Sequence, residues 1–235
     1  MGLYYNGKKV RNLYYNGKCI TRLALGKEMT RLVEGDDFVR ADWLVGDGTA
    51  YIDTGIKDIT TSDISVIFWD KNNRNVQENL FGSEVAGPIN RLTITKVNSV
   101  WRIYDGTGGR KLTEASKASL EFVASANTVS VDGISATYIP PSSTLLDNLL
   151  LFAQYRRQTP TSTPQKTGFS DVMIARFEIV GQISLIPCRL LRPIPASLDA
   201  NGIARNAEEC GMYNSVNGLF YGNVANGGSF TVSDN

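Results

Sequence analysis

Short runs of β-branched and aromatic residues, separated by clusters of Gly, Asn, Asp, Ser and Pro, extend over most of this 235-residue chain. Several runs alternate between apolar and polar residues, as in Ile64-Ser65-Val66-Ile67-Phe68-Trp69, which is the pattern of a half-buried antiparallel strand. Asp132-Gly133 lies between two apolar runs and predicts a tight hairpin turn. Helical periodicity is confined to two short stretches, 112–118 and 203–209. The chain is therefore predicted to be all-β.

The strand pattern predicts two packed antiparallel sheets, a β-sandwich of the jelly-roll type. The predicted strands are 39–45, 50–54, 63–70, 77–83, 90–96, 99–104, 119–124, 127–131, 134–139, 147–155, 171–180, 184–190, 211–213 and 219–222. The segment 156–168 is polar and contains two prolines, so we expect a long exposed loop there.

The N-terminus carries a repeat. Leu3-Tyr4-Tyr5-Asn6-Gly7-Lys8 recurs as Leu13-Tyr14-Tyr15-Asn16-Gly17-Lys18, and a degenerate third copy spans 23–27. Asn-Gly favours hairpin turns, so each copy is predicted to form short strands joined by a turn. Such small units cannot bury a core alone, and paired tyrosines point to opposite faces of a strand. We expect an anchoring and oligomerisation segment whose assembly residues are Tyr4, Tyr5, Tyr14, Tyr15, Arg11, Arg22 and Arg31. The alternative is a hairpin folded back onto the rest of the chain.

Charge divides the chain into the same two parts. Residues 1–35 contain seven Lys and Arg against two Glu, whereas residues 36–235 contain 17 basic and 21 acidic residues. The predicted domains are accordingly a β-repeat segment, 1–35, and a sandwich, 36–235, joined by a charged hinge at 34–37. The basic residues of the repeat stand beside turns, as they do at soluble strand ends, so no nucleic-acid partner is expected.

Composition excludes several functions. Histidine is absent, which removes the commonest general base and metal ligand and any Ser-His-Asp triad. The spacing of Cys19, Cys188 and Cys210 fits neither a disulfide framework nor a zinc site, so reduced thiols are expected. No segment approaches the roughly 18 apolar residues of a membrane span, and no signal peptide is recognised. We expect synthesis in a cytoplasm and no membrane insertion.

Several landmarks in residues 40–235 resemble a concanavalin A-like, laminin-G-like sandwich in the version found in phage and prophage tail or fibre proteins. They are Gly48-Thr49-Ala50-Tyr51-Ile52-Asp53-Thr54-Gly55, Asn79-Leu80-Phe81-Gly82-Ser83, Leu185-Ile186-Pro187-Cys188-Arg189, Gly211-Met212-Tyr213-Asn214, Asn217-Gly218-Leu219-Phe220-Tyr221 and Gly227-Gly228-Ser229-Phe230. The Tyr-Asn-Gly-Lys units are similar to short repeats of phage structural proteins. The segment 196–209 is longer than the corresponding link of the family.

The resemblance implies a phage virion structural protein, a head or tail fibre or decoration subunit. Its repeat segment would bind other virion proteins and form a homo-oligomer, and its lectin-like domain would bind host-surface polysaccharide. The virion would be assembled in the host cytoplasm. The alternatives are a sandwich-type glycan hydrolase or lyase and a bacterial surface-adhesion module, the latter disfavoured because no export signal is recognised.

Catalytic residues are not predicted. Glycosidases on such sandwiches place carboxylates on alternate positions of one strand, and no such run is present. Glu208-Glu209 are adjacent, and Asp36-Asp37 lie in the hinge, so both pairs are expected on the solvated surface. We therefore expect a protein that is not an enzyme.

Sugar binding needs an exposed aromatic ring beside hydrogen-bonding groups. Two groups are candidates: Trp101, Arg102, Tyr104 and Asp105, and then Tyr155, Arg156 and Arg157. For Trp101 a core position is the favoured alternative, and for the second group a solvated strand end is; for Tyr104 the core and the binding role are about evenly balanced. No cofactor is expected apart from candidate calcium ligands in loops, Asp47, Asp53, Asp105 and Asp132. Three of these precede glycine, so a turn-forming role is the favoured explanation.

Overall fold

The computed structural model describes residues 32–70, 77–85, 91–105, 108–225 and 227–233, together with the backbone of four short strands before residue 21. The chain divides into two compact units, Met1–Thr30 and Arg31–Asn235, and each is described by itself. Within the described residues, no helix is long and apolar enough to span a membrane.

The first unit contains two small hairpins, one for each full copy of the repeat. Strands β1 (Tyr4–Tyr5) and β2 (Lys8–Lys9) pair antiparallel, as do β3 (Leu13–Tyr15) and β4 (Lys18–Ile20). Each pairing leaves an Asn-Gly dipeptide between its strands, as the hairpin prediction requires. The predicted pairs of short strands are thus confirmed for both copies. The third copy, the three assembly arginines and the side chains of the four tyrosines lie outside the described residues.

The second unit is built almost entirely from short strands. They are β5 (Phe38–Arg40), β6 (Trp43–Gly46), β7 (Ile52–Asp53), β8 (Ile64–Trp69), β9 (Glu78–Val85), β10 (Leu92–Val97), β11 (Val100–Asp105), β12 (Gly108–Thr113), β13 (Lys117–Val123), β14 (Thr128–Val131), β15 (Ile134–Thr137), β16 (Leu150–Leu151), β17 (Gln154–Arg157), β18 (Gln165–Thr167), β19 (Met173–Ile179), β20 (Ile183–Leu190), β21 (Cys210–Asn214), β22 (Phe220–Tyr221) and β23 (Phe230–Ser233). A single turn of 3-10 helix spans Ala196–Leu198. Both predicted helical stretches are wrong, because 112–118 is divided between β12 and β13 and 203–209 is irregular.

These strands form two sheets. The first sheet has eight strands, ordered β12-β11-β10-β9-β16-β7, with β17 beside β9 and β18 beside β17. The second has eleven, ordered β15-β14-β13-β8-β19-β20-β21-β22, and β6 also joins β19 to β23 while β5 pairs with β20. Neighbouring strands are antiparallel in the described pairings except β17 and β9, which run parallel. The predicted all-β antiparallel sandwich is confirmed.

Aromatic side chains from both sheets meet in the core. Phe81 of the first sheet lies edge-on to Phe122 and Phe177 of the second, with ring centroids 6.0 and 5.4 Å apart. Trp101 contacts Phe68 in the same way at 4.9 Å. Alternation along β8 and β11 places one set of side chains in this core and the other on the outer face, as the period-two pattern predicts.

The predicted hinge is packed onto the second unit. Leu32 is buried, and its backbone N–H donates to the carbonyl of Gly218 at 2.9 Å. Asp37 is fully buried and accepts a hydrogen bond from Arg192 Nε at 2.6 Å. The expectation that Asp37 would be solvated is wrong, because a guanidinium compensates the cost of burying its carboxylate.

Candidate functional site

A β-hairpin stands where a long loop was predicted. Strands β17 and β18 pair antiparallel, with Tyr155 opposite Lys166 and Arg156 opposite Gln165. Directly opposed residues share one face of a pair, so Tyr155 and Lys166 lie on one face of this hairpin and Arg156 and Gln165 on the other. We call residues 154–167 the 154–167 hairpin. The loop prediction for 156–168 is wrong at both ends of that segment, and only 158–164 connects the two strands.

Arg157 fixes the base and the tip of this hairpin. Its Nε and Nη2 donate to the two carboxylate oxygens of Asp147 at 2.5 and 2.7 Å, and its Nη1 donates to the carbonyl of Ser162 at 2.5 Å. The hydrogen bond to Asp147 raises the pKa of Arg157. A guanidinium held in three such bonds orders the connecting segment. Arg157, one of the predicted glycan-binding residues, therefore stabilises the hairpin.

The face that carries Lys166 gathers aromatic rings from distant parts of the chain. Lys166 Nζ donates a hydrogen bond to Tyr51 OH and lies 4.6 Å from the Tyr51 ring centroid and 5.6 Å from that of Tyr155. Burial alone would lower the pKa of Lys166, but its interactions with Tyr51 and Tyr155 together outweigh burial, and the pKa is raised. Burial, reinforced by Asp53, raises the pKa of Tyr155. Lys166 is thus a protonated group held against two phenol rings.

A cleft of about 390 Å³ opens beside these rings. Its lining consists of Thr49, Tyr51, Lys166, Phe169, Val224 and Ala225, and we call it the Lys166 cleft. The Tyr51 and Phe169 rings are tilted against each other with centroids 6.0 Å apart. Buried Leu150 and Ala153 pack beneath them. Tyr51 is only 3% exposed, so half-buried Phe169 supplies the accessible ring. An aromatic surface beside an ammonium group in one concavity is an arrangement with which proteins bind sugar rings.

Asn223 holds the wall of the Lys166 cleft. Its side-chain oxygen accepts from the backbone N–H of Tyr51 at 3.1 Å, and its amide nitrogen donates to the carbonyls of Gly227 and Gly228 at 3.2 and 3.0 Å. Tyr51 OH in turn donates to the carbonyl of Val224 at 3.3 Å. The cleft is therefore largely formed before any ligand binds, which reduces the entropy that binding must overcome.

The opposite face of the hairpin borders a second cleft, of about 370 Å³. Its lining is polar throughout: Arg156, Gln158, Ser162, Thr163, Gln165 and Thr167. We call it the Arg156 cleft. The structure thus brings two of the three residues of the second predicted group, Tyr155 and Arg156, to opposite faces of one hairpin.

The first predicted group is divided between the core and the outer face. Trp101 is only 1% exposed, packs on Phe68 and lies 5.8 Å below Lys96 Nζ, so it offers no exposed ring. Arg102 and half-buried Tyr104 point the other way, and the guanidinium of Arg91 lies 5.7 Å from the Tyr104 ring centroid. Asp105 is fully buried and ion-paired with Arg110. None of the four lines either hairpin cleft.

The four candidate calcium ligands serve the backbone at separate places. Asp47 accepts from the N–H groups of Thr49 and Ala50 at 2.8 Å each and from that of Ser229, 182 residues away. Asp53 accepts from Gly55 N–H at 2.9 Å and Asp132 from Ser119 N–H at 2.8 Å. In the described ranges, no three Asp, Glu, Cys or His side chains are grouped around a metal position. Asp47 and Asp53 make the short-range contacts of turn-forming aspartates. By contrast, Asp132 reaches a residue 13 positions away, and Asp105 accepts from Arg110 and from Ile139 N–H.

Sequence reasoning missed a buried ionic cluster inside the sandwich. Lys96 Nζ lies 2.5 Å from Asp70 Oδ2 and 2.7 Å from Glu78 Oε2, and all three side chains are at most 1% exposed. Burial raises the pKa of Glu78, and its contact with Asp171 adds to this against the lowering effect of Lys96. Because these carboxylates are closed off from solvent, a polysaccharide has no access to them. Nothing in the sequence marks the cluster, since Lys96 ends an ordinary alternating run.

The described cysteines agree with the expectation of reduced thiols. Cys188 is buried, Cys210 is half-buried, and both are free. Burial raises the pKa of both thiols, which keeps them protonated near neutral pH.

No known family model matches the chain, and no curated protein sequence is similar to it. Among solved structures, the chain is similar to domains LG4-5 of the mouse laminin alpha1 chain, with a TM-score of 0.42 and 12% sequence identity. The match covers 83% of this chain and 52% of the laminin chain, so this chain spans about half the length of that neighbour. The sandwich architecture itself rests on the two sheets described above.

Proposed function

We propose that this protein is a non-catalytic glycan-binding virion subunit of a bacteriophage, a head or tail fibre or decoration protein, and that its sandwich binds host-surface polysaccharide at the Lys166 cleft. Residues 1–35 would attach it to other virion proteins and form a homo-oligomer. The observation that carries the binding proposal is the preformed cleft in which Tyr51, Phe169 and Lys166 meet. A sugar ring would stack on half-buried Phe169, and the Lys166 ammonium has further N–H groups to donate to sugar oxygens. The Tyr51 hydroxyl is already bonded to Val224.

The virion proposal is supported by the N-terminal repeat. Two copies form separate minimal hairpins, which need outside surfaces for stability. The basic excess of residues 1–35 and the acidic excess of the remainder suit them to different partners. An antibody against the chain should label phage particles induced from a host that carries its gene. Particles from a strain in which the gene is deleted should remain unlabelled, and equal labelling of both would contradict the proposal.

Binding is tested with purified protein on an array of bacterial surface polysaccharides. Full-length protein should bind at least one glycan, and Phe169→Ala should weaken that binding roughly tenfold, the value of one lost aromatic contact. Ile134→Ala is the matched control, because Ile134 is 77% exposed on the edge strand β15 of the other sheet. We expect this control to bind like the unaltered protein. Equal affinities for Phe169→Ala and the unaltered protein would exclude the Lys166 cleft as the site.

The competing proposal, a glycan hydrolase or lyase, has one feature to recommend it, the closeness of Asp70 and Glu78 around Lys96. What supports binding instead is the burial of those carboxylates, since general acid and base groups must reach the glycosidic oxygen. We expect no new reducing ends and no unsaturated products when a bound polysaccharide is incubated with the protein. Release of either product, abolished by Glu78→Gln, would establish the enzyme.

A further inference from the structure

We propose that the Arg156 cleft is a second subsite of the same glycan site and takes a carboxylate-bearing sugar residue, so that the preferred ligand is an acidic polysaccharide rather than a neutral one. This inference rests on the proposed glycan binding at the Lys166 cleft. The Lys166 cleft is then the first subsite, and the inference assigns a ligand class to the Arg156 cleft, which is separate from it.

The lining of the Arg156 cleft carries positive charge and no acid. It consists of one guanidinium, two amides and three hydroxyls, from Arg156, Gln158, Ser162, Thr163, Gln165 and Thr167. Amides and hydroxyls donate to and accept from sugar hydroxyls, while a guanidinium presents the planar pair of N–H groups that matches a carboxylate. A neutral sugar would use the five amide and hydroxyl side chains and leave the guanidinium without a counter-charge.

The carboxylates nearest to Arg156 are already bound elsewhere. Arg157 holds both oxygens of Asp147. Glu84 lies opposite Arg156 in the parallel register of β9 and β17, but its carboxylate is 3.6 Å from Arg91 Nη1. Arg156 itself is exposed and has no ion pair with another described residue. Its charge is thus available to a ligand.

The walls of the Arg156 cleft are ordered. The Ser162 hydroxyl donates to the carbonyl of Thr159 at 2.9 Å and accepts from the Thr159 N–H at 3.1 Å, and Arg157 holds the Ser162 carbonyl. A connecting segment tied in this way keeps Ser162 and Thr163 in place. A prepared set of polar groups discriminates between ligands more sharply than a mobile loop does.

The two clefts share one hairpin. Lys166 projects from one face and its chain neighbour Gln165 from the other, and β18 pairs with β17 alone among the described strands. A glycan chain that passes over the open edge of β18 reaches both clefts. Lys166 and Arg156 then place positive charge at both ends of that path, which suits a ligand with acidic groups along its length.

The test compares ligands that differ only in charge. Isothermal titration of the full-length protein uses hexagalacturonate and its fully methyl-esterified form, in which the carboxylate charge is removed and the rings stay the same. We expect about tenfold tighter binding of the free acid, the value of one charge-assisted pair. Arg156→Gln should abolish this preference, chiefly by weakening the binding of the free acid. Arg156→Lys should retain only part of the preference, because an ammonium lacks the guanidinium fork.

Arg176→Gln is the matched control, since Arg176 is exposed on the second sheet and ion-paired with Glu178. It should keep the full preference for the free acid. If the free acid and the ester bind with equal affinity and Phe169→Ala abolishes the binding of both, this inference is overturned. The proposal that the Lys166 cleft binds glycans would then still stand. Dextran sulfate is tested as well. If it binds more tightly than hexagalacturonate and Arg156→Gln abolishes that tighter binding, the cleft takes a sulfate group, and the assignment to a carboxylate is overturned. Absence of binding to every glycan tested would overturn both proposals.

Discussion

Gly168 is the residue at which the end of the 154–167 hairpin meets strand β9. It has a left-handed φ of +63°, and a Cβ there would lie 1.7 Å from Asn79 Nδ2. Asn79 is fully buried and donates to the carbonyl of Thr167 at 3.1 Å, so it has little room to move. Backbone strain and a steric clash therefore coincide at this position.

We predict that Gly168→Ala lowers the free energy of unfolding by about 3 kcal/mol, of which about 1 kcal/mol is the left-handed backbone. Gly202→Ala separates the two causes, because Gly202 has a φ of +69° and no atom within 4 Å of its Cβ position. Gly202→Ala should lower the free energy of unfolding by only about 1 kcal/mol. Urea unfolding of both variants gives the comparison. If the two variants lose similar amounts of free energy of unfolding, the Asn79 side chain moves away from the new Cβ without an energetic cost.

Asp47 provides a residue-scale prediction on pH. Burial would raise its pKa, but hydrogen bonds from Ser229, Thr49 and Ala50 outweigh burial, and the pKa lies below its usual value. A lowered carboxyl pKa contributes stability above the unfolded-state value of about 3.9, and this stability is lost as the pH falls through the folded-state value. Asp47→Asn should thus destabilise the protein at pH 7, and the difference should shrink as the pH is lowered from about 5 to 2.

Thermal unfolding across this pH range measures the effect. Asp58→Asn is the control, because Asp58 accepts hydrogen bonds within its own turn, from Thr60, whereas Asp47 also binds Ser229 of the last strand region. A smaller loss at pH 7 is expected for Asp58→Asn. A constant difference between Asp47→Asn and the unaltered protein at all pH values would contradict the prediction.

The role of a residue could be predicted from the sequence where its contacts are with residues nearby in the chain. Asp47 forms an Asx turn with Thr49 and Ala50 as expected, because such a turn is completed within three residues. Asp132, in contrast, lies in a hairpin turn but its carboxylate accepts from Ser119, 13 residues away. The Lys166 cleft could not be found in this way, since Tyr51 and Lys166 are 115 residues apart and meet only in the folded sheet. The positions of Trp101 and Tyr104 were predictable only in part. Alternation separates them to opposite faces, but sequence alone does not say which face is buried.

At the scale of elements, Arg157 should decide how firmly the 154–167 hairpin is held. Arg157→Lys keeps the charge but loses the fork that binds both oxygens of Asp147. Amide hydrogen exchange should become faster in residues 154–167 and stay unchanged in the core strands β8 and β19. Arg176→Lys, at an exposed pair with Glu178, should leave exchange in the hairpin as it was. Unchanged exchange in Arg157→Lys would show that the backbone pairing alone holds the hairpin.

Most strands in the core were predictable as elements, and those that were missed have two physical causes. β12 and β23 begin at or just after glycine pairs, Gly108-Gly109 and Gly227-Gly228, which read as turn signals. Gly109 is required for another reason, because a Cβ there would lie 2.5 Å from the Tyr104 ring. The strand β18 is polar on both faces and borders clefts instead of the core, so no hydrophobic alternation marks it.

At the scale of the whole molecule, the solution mass tests the role of the repeat. We predict that the full chain is a dimer or trimer and that a chain beginning at Arg31 is a monomer. The cut falls before Leu32, because Leu32 is buried and bonded to Gly218, and removing it would damage the sandwich. Light scattering coupled to size exclusion gives both masses. Monomers in both cases would exclude oligomerisation through the repeat, and oligomers in both would move the interface to the sandwich.

The fold class as a whole followed from the sequence because two periodic signals, strand alternation and the repeat, extend over the entire chain. The pairing order did not, since it depends on contacts between distant segments. β17 lies parallel to β9 while its neighbour β16 is antiparallel to the same strand. The chain reverses between them at Phe152, which has a φ of +65° and which no turn dipeptide marks.

The pairing of β6 with β23 joins residues near 45 to residues near 231. A ribosome delivers β6 early, β19 about 130 residues later and β23 nearly 190 residues later, so β6 stays unpaired until β19 is made and half-paired until β23 follows. Contacts between such distant segments also slow folding once the chain is free. The sandwich should therefore mature after translation, and until then the emerging chain exposes strand edges that a chaperone or a neighbouring copy can occupy.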